Sequence, residues 1–225
     1  GKRIMILEFK DITKGFKQGH KNLSVLENMN FTVKDSKSIA ILGKSGSGKS
    51  TFLSLGSGLD KPDFGDILIH NESIINKSEN ELAKFRANHI GIIFQQFHLM
   101  QNLTAYENII LPLEIINQSD AHNKVISALE KVGLKDRMSH FPHQLSGGEK
   151  QRVAIARALV TEPNIIFADE PSGNLDTETG TIVMDLLFKL VKDLGTTLLL
   201  VTHDLDLAKK CDEIFNLQNH KLEKQ

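Results

Sequence analysis

Gly43-Lys44-Ser45-Gly46-Ser47-Gly48-Lys49-Ser50 follows the apolar run Ile39-Ala40-Ile41-Leu42 and leads into Thr51-Phe52-Leu53. The octet has the spacing of a phosphate-binding loop set between a buried strand and a helix. Its glycines let backbone N–H groups close around phosphate oxygens at the helix N-terminus, where the helix dipole adds partial positive charge. In that reading Gly43, Lys44, Ser45, Gly46, Ser47, Gly48 and Thr51 form the cradle, Lys49 reaches the β- and γ-phosphates, and the Ser50 hydroxyl is offered to Mg²⁺. A plain glycine- and serine-rich loop explains neither the buried strand before the octet nor the apolar helix start after it.

Three more short, continuously apolar runs resemble 39–42, at 90–94, 165–168 and 197–201, the pattern of strands buried on both faces of a mainly parallel sheet. Each is followed by polar residues: Gln95 after the first, Asp169 and Glu170 after the second, Thr202 and His203 after the third. Ligands of open α/β sheets sit just beyond the carboxyl ends of the strands, so four such endings imply one shared site. Asp169 would hold Mg²⁺ through its water shell, the usual partner of a P-loop serine. Glu170 is then placed to orient and polarise the attacking water, a general-base role worth about 10² to 10⁴ in rate. The competing reading of the carboxylates is a solvated acidic pair at a strand end.

Upstream, Leu7 and Phe9 alternate with Glu8 and Lys10, and Met29, Phe31 and Val33 alternate with Asn28, Asn30 and Thr32, as in half-exposed antiparallel strands. Between 96 and 161 the pattern is helical, clearest over 121–132 and 149–160, with Pro112 and Pro142 expected as breakers. This segment reads as a helical insertion between two sheet strands. Within it, Leu145-Ser146-Gly147-Gly148-Glu149 puts Ser146 and two bare-backbone glycines at a second helix N-terminus. That is either a second anion site or a helix N-cap with a glycine loop.

At 225 residues the chain holds one sizeable core, and 40% hydrophobic with 24% charged residues is an ordinary globular balance. A net charge of −1 provides no electrostatic footprint for nucleic acid. Cys211, the single cysteine, reads as a packing residue. No apolar run approaches the roughly 18 residues needed to span a bilayer, and residues 1–7 lack the apolar core of a signal peptide. A cytoplasmic location without membrane insertion is expected.

The signature-like stretch 145–149, together with the P-loop, Gln95, the Asp169-Glu170 pair and His203 in this order, resembles an ABC ATPase over essentially the whole chain. The resemblance implies a P-loop NTPase core with a mainly parallel sheet, an N-terminal antiparallel β-subdomain and an inserted helical subdomain. One domain over 1–225 is expected, with 1–95 and 161–225 as core and 96–160 as the helical part. It also implies a homodimer formed on ATP binding, head to tail around two ATP molecules, each lying between one chain's P-loop and the other's Ser146, Gly147 and Gly148. Gln95 would touch Mg²⁺ and the water, and His203 the γ-phosphate. Asn174-Leu175-Asp176 would cross to the other subunit, and Phe16, after the first strand, would stack on adenine. Core packing for Phe16 and a structural role for His203 are the plainer alternatives. Lys44, residues 36–38 and Asn219-His220 depart from common family residues, and no catalytic group is missing.

The stretches 168–176 and 104–108, with Leu111-Pro112-Leu113, resemble the bacterial branch of lipoprotein-releasing and macrolide-efflux ATPases, with particular likeness to the YbbA type over 86–94 and 195–211. That likeness implies an integral membrane permease as partner and a peripheral place on the inner face of the plasma membrane. Phe97, Leu99 and Met100 would line the groove that receives the permease, or simply belong to the subdomain core. A regulatory scaffold of the cell-division kind, or a soluble ABC ATPase without a transporter, would use the same site.

Overall fold

The computed structural model describes residues 4–225. In chain order the elements are β1 (Met5–Gln18), β2 (Lys21–Lys34), β3 (Ser38–Leu42), α1 (Lys49–Gly56), β4 (Phe64–Ile69), β5 (Glu72–Ser73), α2 (Glu79–His89), β6 (Ile90–Phe94), α3 (Ala105–Ile115), α4 (Ala121–Lys131), α5 (Gly147–Leu159), β7 (Ile165–Asp169), α6 (Thr177–Leu194), β8 (Thr197–Val201), α7 (Leu205–Ala208), β9 (Glu213–Gln218) and β10 (Lys221–Lys224). They form two compact units, the chain up to Ala83 with Thr197–Gln225, and Lys84–Thr196. The sequence pattern places the insertion at 96–160. Compactness groups β6 and β7 with it, because these strands pair with each other and α5 packs on β6.

In the first unit β1 pairs with β2 and β4 in an antiparallel sheet, ordered β2-β1-β4-β5. Its alternating residues meet across the strands: Leu7 faces Val33, Phe9 faces Phe31 and Ile12 faces Met29, all buried. In the same unit β3 runs parallel to β8 and β9, and β9 turns back into β10. That turn, Asn219-His220, has both residues in the left-handed region, at φ 50° and 66°. Phe52 of α1 fits between the layers, its ring centroid 4.8 Å from that of Phe9 and 5.6 Å from that of Phe31, which in turn meets Phe215 edge-on at 5.1 Å. Full burial of one such side chain stabilises by about 1.5–3 kcal/mol. This cluster anchors the helix whose N-terminus carries the P-loop.

In the second unit β6 and β7 are parallel, in register from Ile90 opposite Ile165 to Phe94 opposite Asp169. The helices α3, α4 and α6 pack on α5. Capping boxes start α3 at Thr104 with Glu107, and α5 at Ser146 with Glu149. Pro112, expected as a breaker, lies inside α3, which continues to Ile115. The ring removes one backbone hydrogen bond near the helix end. Burial of Ile109 and Leu113 and the hydrogen bonds of the buried Asn108 side chain to Met100, Leu103 and Thr104 hold the helix regardless. Among the described residues no helix is long and apolar enough to cross a membrane.

Candidate active site

In the first unit, residues 43–47 leave the end of β3 and line a cleft of about 830 Å³ together with His203, Leu205, Asn216 and Leu217. Thr202 N–H donates to the Ile41 carbonyl at 3.1 Å, which pins the end of β8 beside the end of β3 and so sets His203 next to the loop. Ser47 N–H donates to the Lys44 carbonyl at 3.0 Å, closing the loop's turn. Gly48 caps α1 at φ 101°, a backbone state that strongly favours glycine, and no side chain caps the helix. The first turn of α1 holds no acidic residue either, so no side chain of the helix's own start offsets its positive dipole end. Lys49 folds its ammonium back onto the Gly43 carbonyl, and the buried Ser47 hydroxyl has no protein partner. An orphan hydroxyl, a helix N-terminus without a side-chain cap and a nearby ammonium together fit a bound phosphate chain.

Ser50 is exposed and Thr51 half-buried in the first turn of α1. Phe16 lies inside β1 rather than after it, opposite Leu23, because the β1–β2 hairpin extends to Gln18. It is 46% exposed, with Lys14 Nζ 5.2 Å from its ring centroid, so it is not a core phenylalanine.

In the second unit the ladder ends at the pair Phe94 and Asp169, which sets Gln95 and Glu170 side by side in the chain positions just beyond. Glu170 has a left-handed backbone, φ 43°, stabilised by a turn in which Gly173 N–H donates to its carbonyl at 2.9 Å. Such strain on a non-glycine residue persists where the surroundings over-determine it, and it clusters at active sites. Gln95 Nε2 donates to Asn174 Oδ1 at 3.1 Å, and the Gln95 carboxamide packs directly on Gly173.

Ser146 caps α5. Its hydroxyl accepts from Glu149 N–H at 3.2 Å while Glu149 Oε1 accepts from Ser146 N–H at 2.9 Å. The Ser146 N–H, followed by burial acting against it, governs the Glu149 carboxyl, which is held below the usual carboxylate range. Ser146 is thus an N-cap, and it stands exposed beside Gly147 and Gly148 at the helix's positive end. The cluster after Gln95 divides: Leu99 is buried, Phe97 half-buried and Met100 50% exposed. Arg157 of α5 holds this turn by donating to the Phe97 and His98 carbonyls at 3.1 and 2.9 Å.

Two residues of this half escape a motif-based reading. Gly173 supports Gln95, and Gln151 of α5 is fully buried, its amide nitrogen bonded to the Phe94 and Pro171 carbonyls. A signal for Gln151 is present in the sequence: it lies four residues before Ile155 and three before Ala154, on the apolar stripe of the helix.

The model of the ABC transporter family matches residues 26–173. The ABC transporter ATP-binding protein YbbA of Escherichia coli K12 is 45% identical over 222 residues, 98% of this chain and 97% of that protein. The lipoprotein-releasing system ATP-binding protein LolD of Francisella tularensis is 42% identical, covering 97% of this chain and 96% of that protein. Among solved structures, the dimeric ATP-binding cassette MJ0796 in a post-hydrolysis state bound to ADP and Pi matches with a TM-score of 0.88, at 38% identity over 97% of both chains. The antiparallel sheet, the mainly parallel sheet and the helices are therefore those of the cassette fold. With a glycine-rich loop between β3 and α1, and β7 ending at Asp169 just before Glu170, the chain belongs to the ABC transporter family, as an ATP-binding cassette that hydrolyses ATP.

Proposed function

We propose that this chain is the ATP-driven subunit of an envelope transporter, in which two copies close head to tail around two ATP molecules and drive an integral membrane permease from the cytoplasmic side. The observation that carries the reading is the presence of two helix N-termini suited to phosphate on one chain, the P-loop end of α1 and the Ser146-Gly147-Gly148 end of α5. A second chain would supply the second terminus to the first chain's ATP, as fits a relative solved as a dimer. LolD belongs to a lipoprotein-releasing system. By that kinship the permease handles substrates of the bacterial envelope, by release or efflux, and the cassette sits peripherally on the inner face of the plasma membrane. The exposed Met100 and half-buried Phe97 are the surface it would offer to the permease.

Within the site, residues 43–48 grip the phosphates, Lys49 neutralises the β- and γ-phosphates, His203 reaches the γ-phosphate and Phe16 stacks on the adenine. Glu170 polarises the attacking water. Ser50, Asp169 and Gln95 would hold Mg²⁺, and their oxygen donors suit a hard cation. The nitrogen of Gln95 is engaged by Asn174, so cation contact goes through its oxygen. Among the described residues no cluster of three His, Cys, Asp or Glu side chains forms a metal cage. That fits an ion bound mainly through phosphate and water, whose contribution is to neutralise charge developing on the phosphates.

The test is the oligomeric state of Glu170→Gln by light scattering, with and without ATP and Mg²⁺. An ATP-dependent shift from monomer to dimer supports the shared site. A monomer with ATP demonstrably bound contradicts closure of two copies around ATP without the permease.

A further inference from the structure

We infer that Gln151 is a positioning residue for ATP hydrolysis, one carboxamide that ties the end of β6 to the segment after β7 and so fixes Gln95 against Glu170. The inference rests on the roles given above to those two residues. Gln151 is fully buried on α5. Its Nε2 donates to the Phe94 carbonyl at 3.0 Å and to the Pro171 carbonyl. Phe94 immediately precedes Gln95, and Pro171 immediately follows Glu170. Both acceptors are carbonyls, so the amide must present its nitrogen and its orientation is not ambiguous.

The strand ladder ends at Phe94 and Asp169, so the spacing of the next residues is set by whatever bridges them. Gln151 is such a bridge. It also buttresses strain: a residue before proline favours extended backbone, yet Glu170 has φ 43°. The turn bond from Gly173 fixes the Glu170 carbonyl, and Gln151 fixes the next one. Gln151 Oε1 is buried without a protein partner, so the protein engages the carboxamide through its nitrogen end, at the two carbonyls that flank the site residues.

Gln151→Met keeps the length and bulk of the side chain and removes both donors. Steady-state ATP hydrolysis with Mg²⁺ should show kcat reduced about 10- to 100-fold, with KM for ATP within about twofold of wild type, as expected for a misplacement near 1 Å in a bound state that still forms. In a Gln95→Ala background the same change should cost much less, because both act on one arrangement. Gln151→Glu is a second, independent variant. A carboxyl facing two carbonyls is driven toward its protonated, donating form, so its kcat relative to wild type should rise as pH is lowered from about 8 to about 6. Wild-type kcat in Gln151→Met, or a pH-independent ratio in Gln151→Glu, overturns the inference. Glu170→Gln and Gln95→Ala are measured alongside. If they turn over normally, the site assignment fails and the inference with it; if they are inactive while Gln151→Met is normal, only the inference fails.

Discussion

Gly173→Ala separates the role of Gln95 from the stability of the fold. A Cβ on Gly173 would stand 2.5 Å from Gln95 Nε2, 2.7 Å from Cδ and 3.0 Å from Cγ. Carbon contacts settle at about 3.5–4.0 Å, so the carboxamide must retreat by about 1 Å. Its 3.1 Å bond to Asn174 then breaks or re-forms elsewhere. Gly173 is exposed and outside the left-handed region, so alanine adopts the backbone without strain. The group that gives way is the end of a flexible side chain, and its lost hydrogen bond is worth about 0.5–1.5 kcal/mol. That corresponds to a fall in Tm of about 1–6 °C for a chain of this size. Catalysis is hit harder, since a displacement of about 1 Å can cost on the order of 10²-fold, or about 2.7 kcal/mol in barrier height. Phosphate release measured against ATP concentration, with a thermal melt in parallel, should show kcat reduced by about that factor with KM little changed and Tm lowered by no more than those few degrees. A kcat within about twofold of wild type would refute the argument that Gln95 acts from its place on Gly173.

Three further outcomes are expected. Burial pushes the Cys211 thiol up to about 12, so iodoacetamide at neutral to mildly alkaline pH should alkylate the native chain about 10³-fold more slowly than the urea-unfolded chain; equal rates would place the thiol at the surface. The capping carboxylates Glu149 and Glu81 are held low chiefly by the backbone N–H of Ser146 and of Ser78, and Asp176 chiefly by the Thr179 side chain. Folded-state values depressed in this way contribute stability above the unfolded values and lose it as pH falls through the folded ones, so urea midpoints should drop below about pH 4.5. Glu149→Gln should flatten that drop, and an unchanged slope would contradict the assignment. Finally, Ser36 holds φ 58° between β2 and β3, and Ser36→Gly should raise stability by about 1 kcal/mol in urea titration, whereas a loss would show that the Ser36 hydroxyl bond to Asp35 outweighs the strain.

The parts of the fold that could be read from sequence are those where a local pattern and a tertiary demand coincide. The runs at 39–42, 90–94, 165–168 and 197–201 are strands because burial on both faces selects continuous apolar residues. The alternation around Phe9 and Phe31 gives the antiparallel sheet because one face is buried. Pro112 misleads because propensity counts the lost N–H and not the packing of Ile109 and Leu113 that holds α3 through it. Phe16 lies inside a strand because the hairpin extends beyond the apolar alternation, to a turn that hydrophobicity does not mark. The capping boxes Ser78 with Glu81 and Thr104 with Glu107 were available as helix starts in the residues themselves. Gln151 is the instructive case: its position on an apolar stripe signals burial, but what it bonds depends on two carbonyls about 20 and 57 positions away.

ATP turnover of Glu170→Gln beside wild type, with ATP binding measured on the same samples, decides whether Glu170 drives hydrolysis. ATP should still bind, because residues 43–48, proposed to grip its phosphates, are untouched, while turnover should fall by about 10²- to 10⁴-fold through loss of the group proposed to polarise water. Turnover at the wild-type rate would contradict this role, and hydrolysis would then have to be driven by another group at the end of β7.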